Sequence, residues 1–359
     1  MAAAAGLGVG IVGGGFMAAV HSRAARAARA RLVGVVGSSP ARAQQAADEL
    51  GIERAYDSLD ALLADPAVDV VHVTTPNALH AQQAEAALAA GKHVVCEKPL
   101  ATSLADAERL VEASAGRTAT VPFVYRFHPL VREARARVAA GETARVLTIQ
   151  GAYLQDWLLS ADDDNWRVDA AAGGRSRAFA DIGSHLVDLI EFVTGERVAR
   201  VAASKRTFIE SRAEHARIET EDAVAVVLET EGGAIGTLLV SQLAPGRKNR
   251  LHIEIGGAAE SVVFDQEQPE TLWVGRRAGS LLVPRDAEQL GADAARLVTT
   301  PAGHPQGYQD AFNAFVADSY AATAGARPDG LPRFEDGLRA VRVTEAVMAA
   351  AERAEWVEL

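Results

Sequence analysis

The chain has 359 residues, 49% of them apolar and 23% charged, the balance of a globular protein long enough for two cored domains. A net charge of −11 excludes the basic face that a nucleic-acid binder needs to displace counterions. One cysteine, Cys96, excludes an internal disulfide and a cysteine-based zinc site and fits a reducing cytoplasm; no apolar run is long enough to span a membrane.

The apolar opening MAAAAGLGVGIVGGG has no basic n-region and holds glycines inside the run, so it does not read as a signal peptide. Leu7–Val12 reads as a strand, followed by a helix over Phe16–Ala28. Strands at Arg31–Val36, Val68–Thr74, Lys92–Cys96 and Ala119–Val124 alternate with helices at Ala41–Leu50, Ala78–Ala90 and Leu104–Ala115. These strands are nearly continuous apolar runs, as expected where helices cover both faces of a parallel sheet.

The first strand runs into Gly13-Gly14-Gly15-Phe16-Met17-Ala18, a G-x-G-x-x-A string between strand and helix. In a βαβ unit this is the dinucleotide-binding fingerprint of a Rossmann domain. Gly13 permits the tight turn, Gly15 lets a pyrophosphate approach the backbone, and Ala18 allows close helix–strand packing. The N–H groups near Phe16 and Met17 then carry the phosphate charge.

The second strand ends in Gly37-Ser38-Ser39-Pro40-Ala41-Arg42, without the carboxylate that binds the ribose of NAD. That absence, with Ser38, Ser39 and Arg42 as phosphate partners, favours NADP over NAD; Arg42 equally fits a solvated residue in a helix's first turns. The third strand ends in Thr74-Thr75-Pro76-Asn77 and the fourth in Glu97-Lys98-Pro99, at the carboxyl ends where open α/β sheets bind ligands. Lys98 is expected near the nicotinamide end of the cofactor.

Beyond about residue 140 the pattern changes. Strands are expected at Arg145–Tyr153, Val198–Thr207, Asp222–Glu229, Ala234–Gln242, Arg250–Gly256, Ser261–Phe264 and Thr271–Val274, several joined by glycine-containing turns. One helix, Asp181–Thr194, interrupts them, and helices near Tyr308–Ala324 and Phe334–Ala354 follow. The fold class is therefore α/β: a Rossmann doubly wound parallel sheet over 1–125, then an α+β domain over 126–359 with a large, mostly antiparallel open sheet. The C-terminal helix is placed to pack back on the first domain.

On the interrupting helix Ile182, Leu186, Leu189, Ile190 and Val193 make an apolar stripe, and Asp181, His185 and Asp188 share an adjoining face. Asp181 and His185 can point together into a cleft, or serve as a capping Asp and a structural His. Gln155, Trp157, Trp166 and Arg167 combine polar groups with indoles, which suits a sugar; Trp166 and Arg167 equally fit a loop anchor. Arg126, Gln242, His304 and Tyr308 are further candidates, Arg126 as a cofactor contact and Tyr308 as a substrate contact. Asp162-Asp163-Asp164 reads as a solvated turn, since consecutive residues do not converge easily on one ion, and no metal is expected.

The set of GGGFMA after a strand, Glu97-Lys98-Pro99, Tyr125-Arg126-Phe127-His128-Pro129 and Asp181-Ile182-Gly183-Ser184-His185 resembles the Gfo/Idh/MocA family, typified by glucose–fructose oxidoreductase and inositol 2-dehydrogenase. The resemblance spans essentially the whole chain. It implies an NAD- or NADP-dependent oxidoreductase for sugars, inositols and related polyols, with the open sheet making homodimer or homotetramer contacts. It also implies that Lys98, Asp181 and His185 are the catalytic lysine, aspartate and histidine. Asn77 and His80 match the family's T-x-P-N-x-x-H stretch, while Ala18 departs from its commoner third glycine. Two other readings stay open: a redox-assisted glycosidase without net cofactor turnover, and a non-catalytic NAD(P)-binding sensor.

Overall fold

Contacts divide the chain into two units, Met1–Val124 with Gln309–Val341, and Tyr125–Tyr308 with Arg342–Leu359. The computed structural model describes residues 6–359; Met1–Ala5, the head of the apolar opening, lie outside the described residues.

The first unit begins with β1 (Gly8–Val12), α1 (Phe16–Ala27), β2 (Arg31–Val36), α2 (Pro40–Leu50), β3 (Ala55–Tyr56) and α3 (Leu59–Ala64). It continues with β4 (Val70–Val73), α4 (His80–Ala89), β5 (His93–Cys96), α5 (Leu104–Ala113) and β6 (Ala119–Thr120). All six strands pair in parallel, in the order β3-β2-β1-β4-β5-β6. That order reverses between β1 and β4, and the crevice at their carboxyl ends is where such sheets bind ligands. Val12, Val33, Leu62, Val71, Val73 and Val94 are buried in its core. Ser39, Ser58 and Ser103 accept backbone N–H bonds at the starts of α2, α3 and α5, satisfying donors that a helix leaves unpaired.

The second unit holds α6 (Pro129–Ala139), β7 (Val146–Leu154), α7 (Ala170–Gly173), α8 (Ser184–Thr194), β8 (Val198–Arg206), β9 (Ala223–Thr230) and β10 (Ile235–Ser241). Then come β11 (Arg250–Gly257), β12 (Ser261–Asp265), β13 (Thr271–Arg276), β14 (Gly279–Pro284) and α9 (Ala292–Ala295). The C-terminal elements are α10 (Tyr308–Thr323), α11 (Phe334–Arg353) and β15 (Val357–Glu358). The sheet runs β14-β13-β12-β11-β7-β10-β9-β8-β15, antiparallel except for the parallel β7–β10 pair. Along β9, Val224, Val226 and Leu228 are buried while Ala225 and Val227 face out, so only one face of the sheet is covered.

Contacts group Gln309–Val341 with the first unit, where Phe334 and Val341 join the core; the expected boundary at 125/126 put this segment in the second domain, with the C-terminal helix packing back on the first. One feature departs from expectation. The helix expected from Asp181 starts instead as a π-helical turn, Phe179–Gly183, leading into α8. The buried Glu221 carboxylate sets this turn: it accepts the Ser176 hydroxyl at 2.9 Å and the N–H groups of Arg177 and Phe179. A Cβ on Gly183 would come within 2.5 Å of the Phe179 ring, so only glycine permits that turn.

Candidate active site

The loop after β1 leaves open space beside one of its glycines and none beside another. Gly13 has φ +105°, and a Cβ there would lie 2.8 Å from Thr74 Oγ1, which itself donates to the Val12 carbonyl. Gly15 is the opposite case: a Cβ on it would meet no atom within 4 Å. Gly15 also caps α1 without a side-chain hydrogen bond, and the first turn carries no acidic residue. The helix-start N–H groups around Phe16 and Met17 thus face an open, uncharged approach, which fits a pyrophosphate. Phe16 is 74% exposed.

At the end of β2, Ser38 and Arg42 are exposed, and no carboxylate stands between Val36 and Arg42. Ser39 Oγ accepts from Arg42 N at 3.3 Å, and the Arg42 guanidinium reaches Gln45. Next along the crevice, Thr75 Oγ1 donates to Gln83, Pro76 precedes the short turn Asn77–Leu79, and His80 opens α4.

His80 holds two backbone segments together. Its Nδ1 lies 2.8 Å from the Pro99 carbonyl and its Nε2 2.8 Å from the Thr75 carbonyl. Burial pushes its pKa down, with the two carbonyls and Glu97 opposing that shift. Glu97 is buried, accepts from His21 at 3.0 Å and takes the Lys98 N–H at 3.2 Å. Burial alone would raise the Glu97 carboxyl, but the His21 hydrogen bond and the nearby Lys98 charge hold it below the usual carboxylate range. Lys98 is half-buried at the carboxyl end of the β5 segment, on a cis bond to Pro99.

In the second unit the wide turn and α8 present Asp181 and His185. Gln242, fully buried just past β10, donates Nε2 to Asp181 Oδ2 at 2.9 Å, and Arg167 Nε lies 3.8 Å from Asp181 Oδ1. The His185 ring meets the Tyr125 ring edge-on at 5.1 Å. Tyr125, Tyr153 and Asn249 close a polar ring: Tyr125 and Tyr153 share a hydroxyl hydrogen bond, Tyr153 donates to Asn249 Oδ1 at 2.8 Å, and Asn249 Nδ2 donates to Tyr125 at 3.1 Å. Gln155 Nε2 donates to Asn249 Oδ1 as well, and Trp157 Nε1 donates to Gln155 Oε1, both at 2.9 Å. Burial raises both tyrosine pKa values, so both remain neutral donors. The Tyr308 ring stands 6.3 Å from that of Tyr125.

The remaining sequence candidates divide. Arg167 stacks on Trp166 at 4.5 Å, so the two anchor one another beside Asp181. The Arg126 guanidinium is buried and forks onto Asp188, with Nε to Oδ2 at 2.8 Å, since a buried guanidinium requires a carboxylate. Asp188 accordingly leaves the pair Asp181 and His185 to meet Arg126. The acidic run is also less solvated than expected, since Asp164 is largely buried against His215 Nδ1 at 2.7 Å. Tyr153, Asn249, His21 and His72 escaped sequence reasoning. The strand register was the available signal for Asn249, since Arg250 pairs with Leu154 and brings Asn249 opposite Gln155.

Comparison with known proteins agrees with this geometry. A model of the oxidoreductase family with an NAD-binding Rossmann fold (GFO_IDH_MocA) matches residues 7–124, and one of the GFO/IDH/MocA C-terminal domain matches 131–263. Levoglucosan dehydrogenase of Pseudarthrobacter phenanthrenivorans is 30% identical, over 98% of each chain. The structure of a levoglucosan dehydrogenase in complex with NADH and levoglucosan superposes with a TM-score of 0.92 at 28% identity, covering 98% of this chain and 99% of that one. An inositol dehydrogenase homolog from Azotobacter vinelandii complexed with NAD+ gives 0.90 at 27% identity, covering 100% and 98%. The two family models cover the glycine loop, the Glu97-Lys98-Pro99 turn and the Asp181–His185 turn, and the relative is matched over nearly its whole length: this chain belongs to the Gfo/Idh/MocA oxidoreductase family.

Proposed function

We propose that the chain is an NAD(P)-dependent oxidoreductase that interconverts a secondary alcohol and a ketone on a sugar, an inositol or a related polyol. One observation carries the substrate class: the His185 ring, one turn of chain after Asp181, packs edge-on against Tyr125, which closes a hydrogen-bonded ring with Tyr153 and Asn249 that Gln155 and Trp157 extend. Fixed donors and acceptors beside aromatic faces suit a ligand with many hydroxyls and apolar C–H faces.

The Gly13–Met17 loop and the ends of β2 and β4 would hold the cofactor, with Gly15 as the point of pyrophosphate approach and Thr74, Thr75, Pro76 and Asn77 as further contacts. A bound nicotinamide supplies the hydride chemistry. His185 takes the proton from the substrate hydroxyl in oxidation and returns it in reduction, as an imidazole can near neutral pH. Lys98 hydrogen-bonds the reacting oxygen and stabilises negative charge that develops there. Asp181, steadied by Gln242, orients the substrate or the imidazole. His80 and Glu97 shape the Thr75 and Lys98 turns, while Trp166, Arg167 and Tyr308 border the substrate.

The open end of β2 favours NADP(H), since Ser38, Ser39 and Arg42 face no competing carboxylate. The outer face of the second sheet presents Leu147, Val227, Ile235 and Leu239, each between 45% and 56% exposed, and we assign it to a second copy of this chain in a homodimer or homotetramer. Among the described residues no helix is long and apolar enough to cross a membrane, and the one cysteine is buried; both suit a cytoplasmic enzyme.

The test is a screen of sugars, inositols and glycosides with NAD and NADP separately, following nicotinamide absorbance and product. Steady absorbance change on a polyol supports the assignment; glycoside cleavage without it points to redox-assisted hydrolysis and overturns it. In the active pair, His185→Ala should lower kcat by about 10²–10⁴-fold with cofactor affinity unchanged.

A further inference from the structure

Behind the Glu97–Lys98 turn, four side chains form a continuous hydrogen-bonded line through the core of the first unit. The Tyr320 hydroxyl lies 2.9 Å from His72 Nε2, His72 Nδ1 lies 2.8 Å from His21 Nδ1, and His21 Nε2 lies 3.0 Å from Glu97 Oε1. They come from α10, β4, α1 and the residue after β5. Tyr320, His72 and His21 have no solvent exposure, and Glu97 is 6% exposed. Phe312 packs against the His21 ring with 4.7 Å between centroids. Polar groups buried this deeply persist only when mutually satisfied.

The chemistry of the ends sets the direction of the line. An ionised carboxylate only accepts, and burial keeps the Tyr320 phenol protonated and able to donate. Burial drives the His72 pKa well down, so its ring carries one proton. If Tyr320 donates to His72 Nε2, that proton sits on Nδ1 and is donated to His21 Nδ1. The His21 proton then sits on Nε2 and is donated to Glu97. The reverse order sets a His21 lone pair against the carboxylate or adds a buried positive charge.

We infer that Tyr320, His72 and His21 are positioning residues that deliver one aligned series of hydrogen bonds to Glu97, fixing its carboxylate and thereby the backbone that carries Lys98. Aligned hydrogen bonds polarise one another, so loss of the distant hydroxyl is felt at the carboxylate. The line is not a proton conduit, because Tyr320 offers no end at solvent. The groups facing Glu97 are His21 from α1, His80 from α4, and Lys98 and Cys96 from its own segment; His72 and Tyr320 lie behind His21. The catalytic consequence rests on the assignment of Lys98 to the reacting oxygen, whereas the line itself does not.

The experiment therefore begins on cofactor-free protein. Nitrogen-15 NMR of labelled histidines, assigned with His21→Gln and His72→Asn, should show His72 as the Nδ1–H tautomer and His21 as the Nε2–H tautomer. Infrared difference titration against Glu97→Gln should show the Glu97 carboxyl protonating at higher pH in Tyr320→Phe and higher still in His21→Leu, with His21→Gln restoring part of the shift. In the active enzyme, Tyr320→Phe should lower kcat about five-fold with substrate KM unchanged. The opposite tautomers, or a Glu97 titration indifferent to Tyr320→Phe, overturn the inference while leaving the dehydrogenase assignment intact. Inactivity on every polyol, with the tautomers as stated, removes the assignment and keeps the line.

Discussion

Gln242 donates to Asp181 at 2.9 Å from a site with no solvent exposure, and its own N–H is fixed by the Asp222 carbonyl at 3.1 Å. A side chain so enclosed has little rotamer freedom, so it restricts the carboxylate that it touches. Gln242→Leu should therefore lower kcat/KM about ten-fold, equivalent to about 1.4 kcal/mol, with the loss shared between kcat and KM. Steady-state kinetics on the best polyol checks this. An unchanged kcat/KM means that Asp181 needs no orientation from this neighbour.

The two outer glycines of the loop after β1 should separate folding from binding. Gly15→Ala places a methyl in open space, so the melting temperature should hold while the cofactor dissociation constant rises at least about ten-fold, reflecting lost backbone approach. Gly13→Ala meets Thr74 and a left-handed φ of +105°, and should cost about 1–3 kcal/mol of stability. Thermal melts paired with calorimetric titration of NAD and NADP read both effects. Equal behaviour of the two variants would contradict the cradle.

Glu260 provides a pH test away from the site. Arg137 Nε donates to its Oε1 and Arg276 Nε to its Oε2, each at 2.7 Å. The Arg137 bond leads in holding its carboxyl below the ordinary range, against the opposing effect of burial. A folded-state pKa depressed in this way gives stability that is fully present above the unfolded-state value and lost as pH falls through the folded one. Glu260→Gln should thus be less stable than the parent at pH 7, with the gap narrowing below about pH 4. Urea melts from pH 7 to pH 3 measure it, and a gap that widens on acidification would refute the pairing.

What the sequence disclosed was local chemistry. Gly13 to Ala18 signal themselves because turn, phosphate approach and helix start fall within six neighbouring residues. The parallel sheet was equally legible, since its strands are uninterrupted apolar runs. Asp181 was found, but not its π-helical turn, which depends on Glu221 some forty residues later. The ion pair of Arg126 was not legible, because its partner Asp188 is 62 residues away and nothing nearby announces burial. His72 reads as an anomaly inside the apolar run Val70–Val73, and only the fold brings Tyr320 to it across 248 residues.

The return of Gln309–Val341 to the first unit has a consequence for biosynthesis. The six parallel strands have all left the ribosome once Thr120 emerges, yet Tyr320, Phe334 and Val341 are among the last side chains translated. During synthesis the nucleotide-binding half therefore waits for the segment that completes its core, with His21, His72 and apolar side chains uncovered until then. Such a nascent chain is a natural client for chaperones, and a stop codon after Tyr308 yields an incomplete domain rather than a minimal cofactor binder.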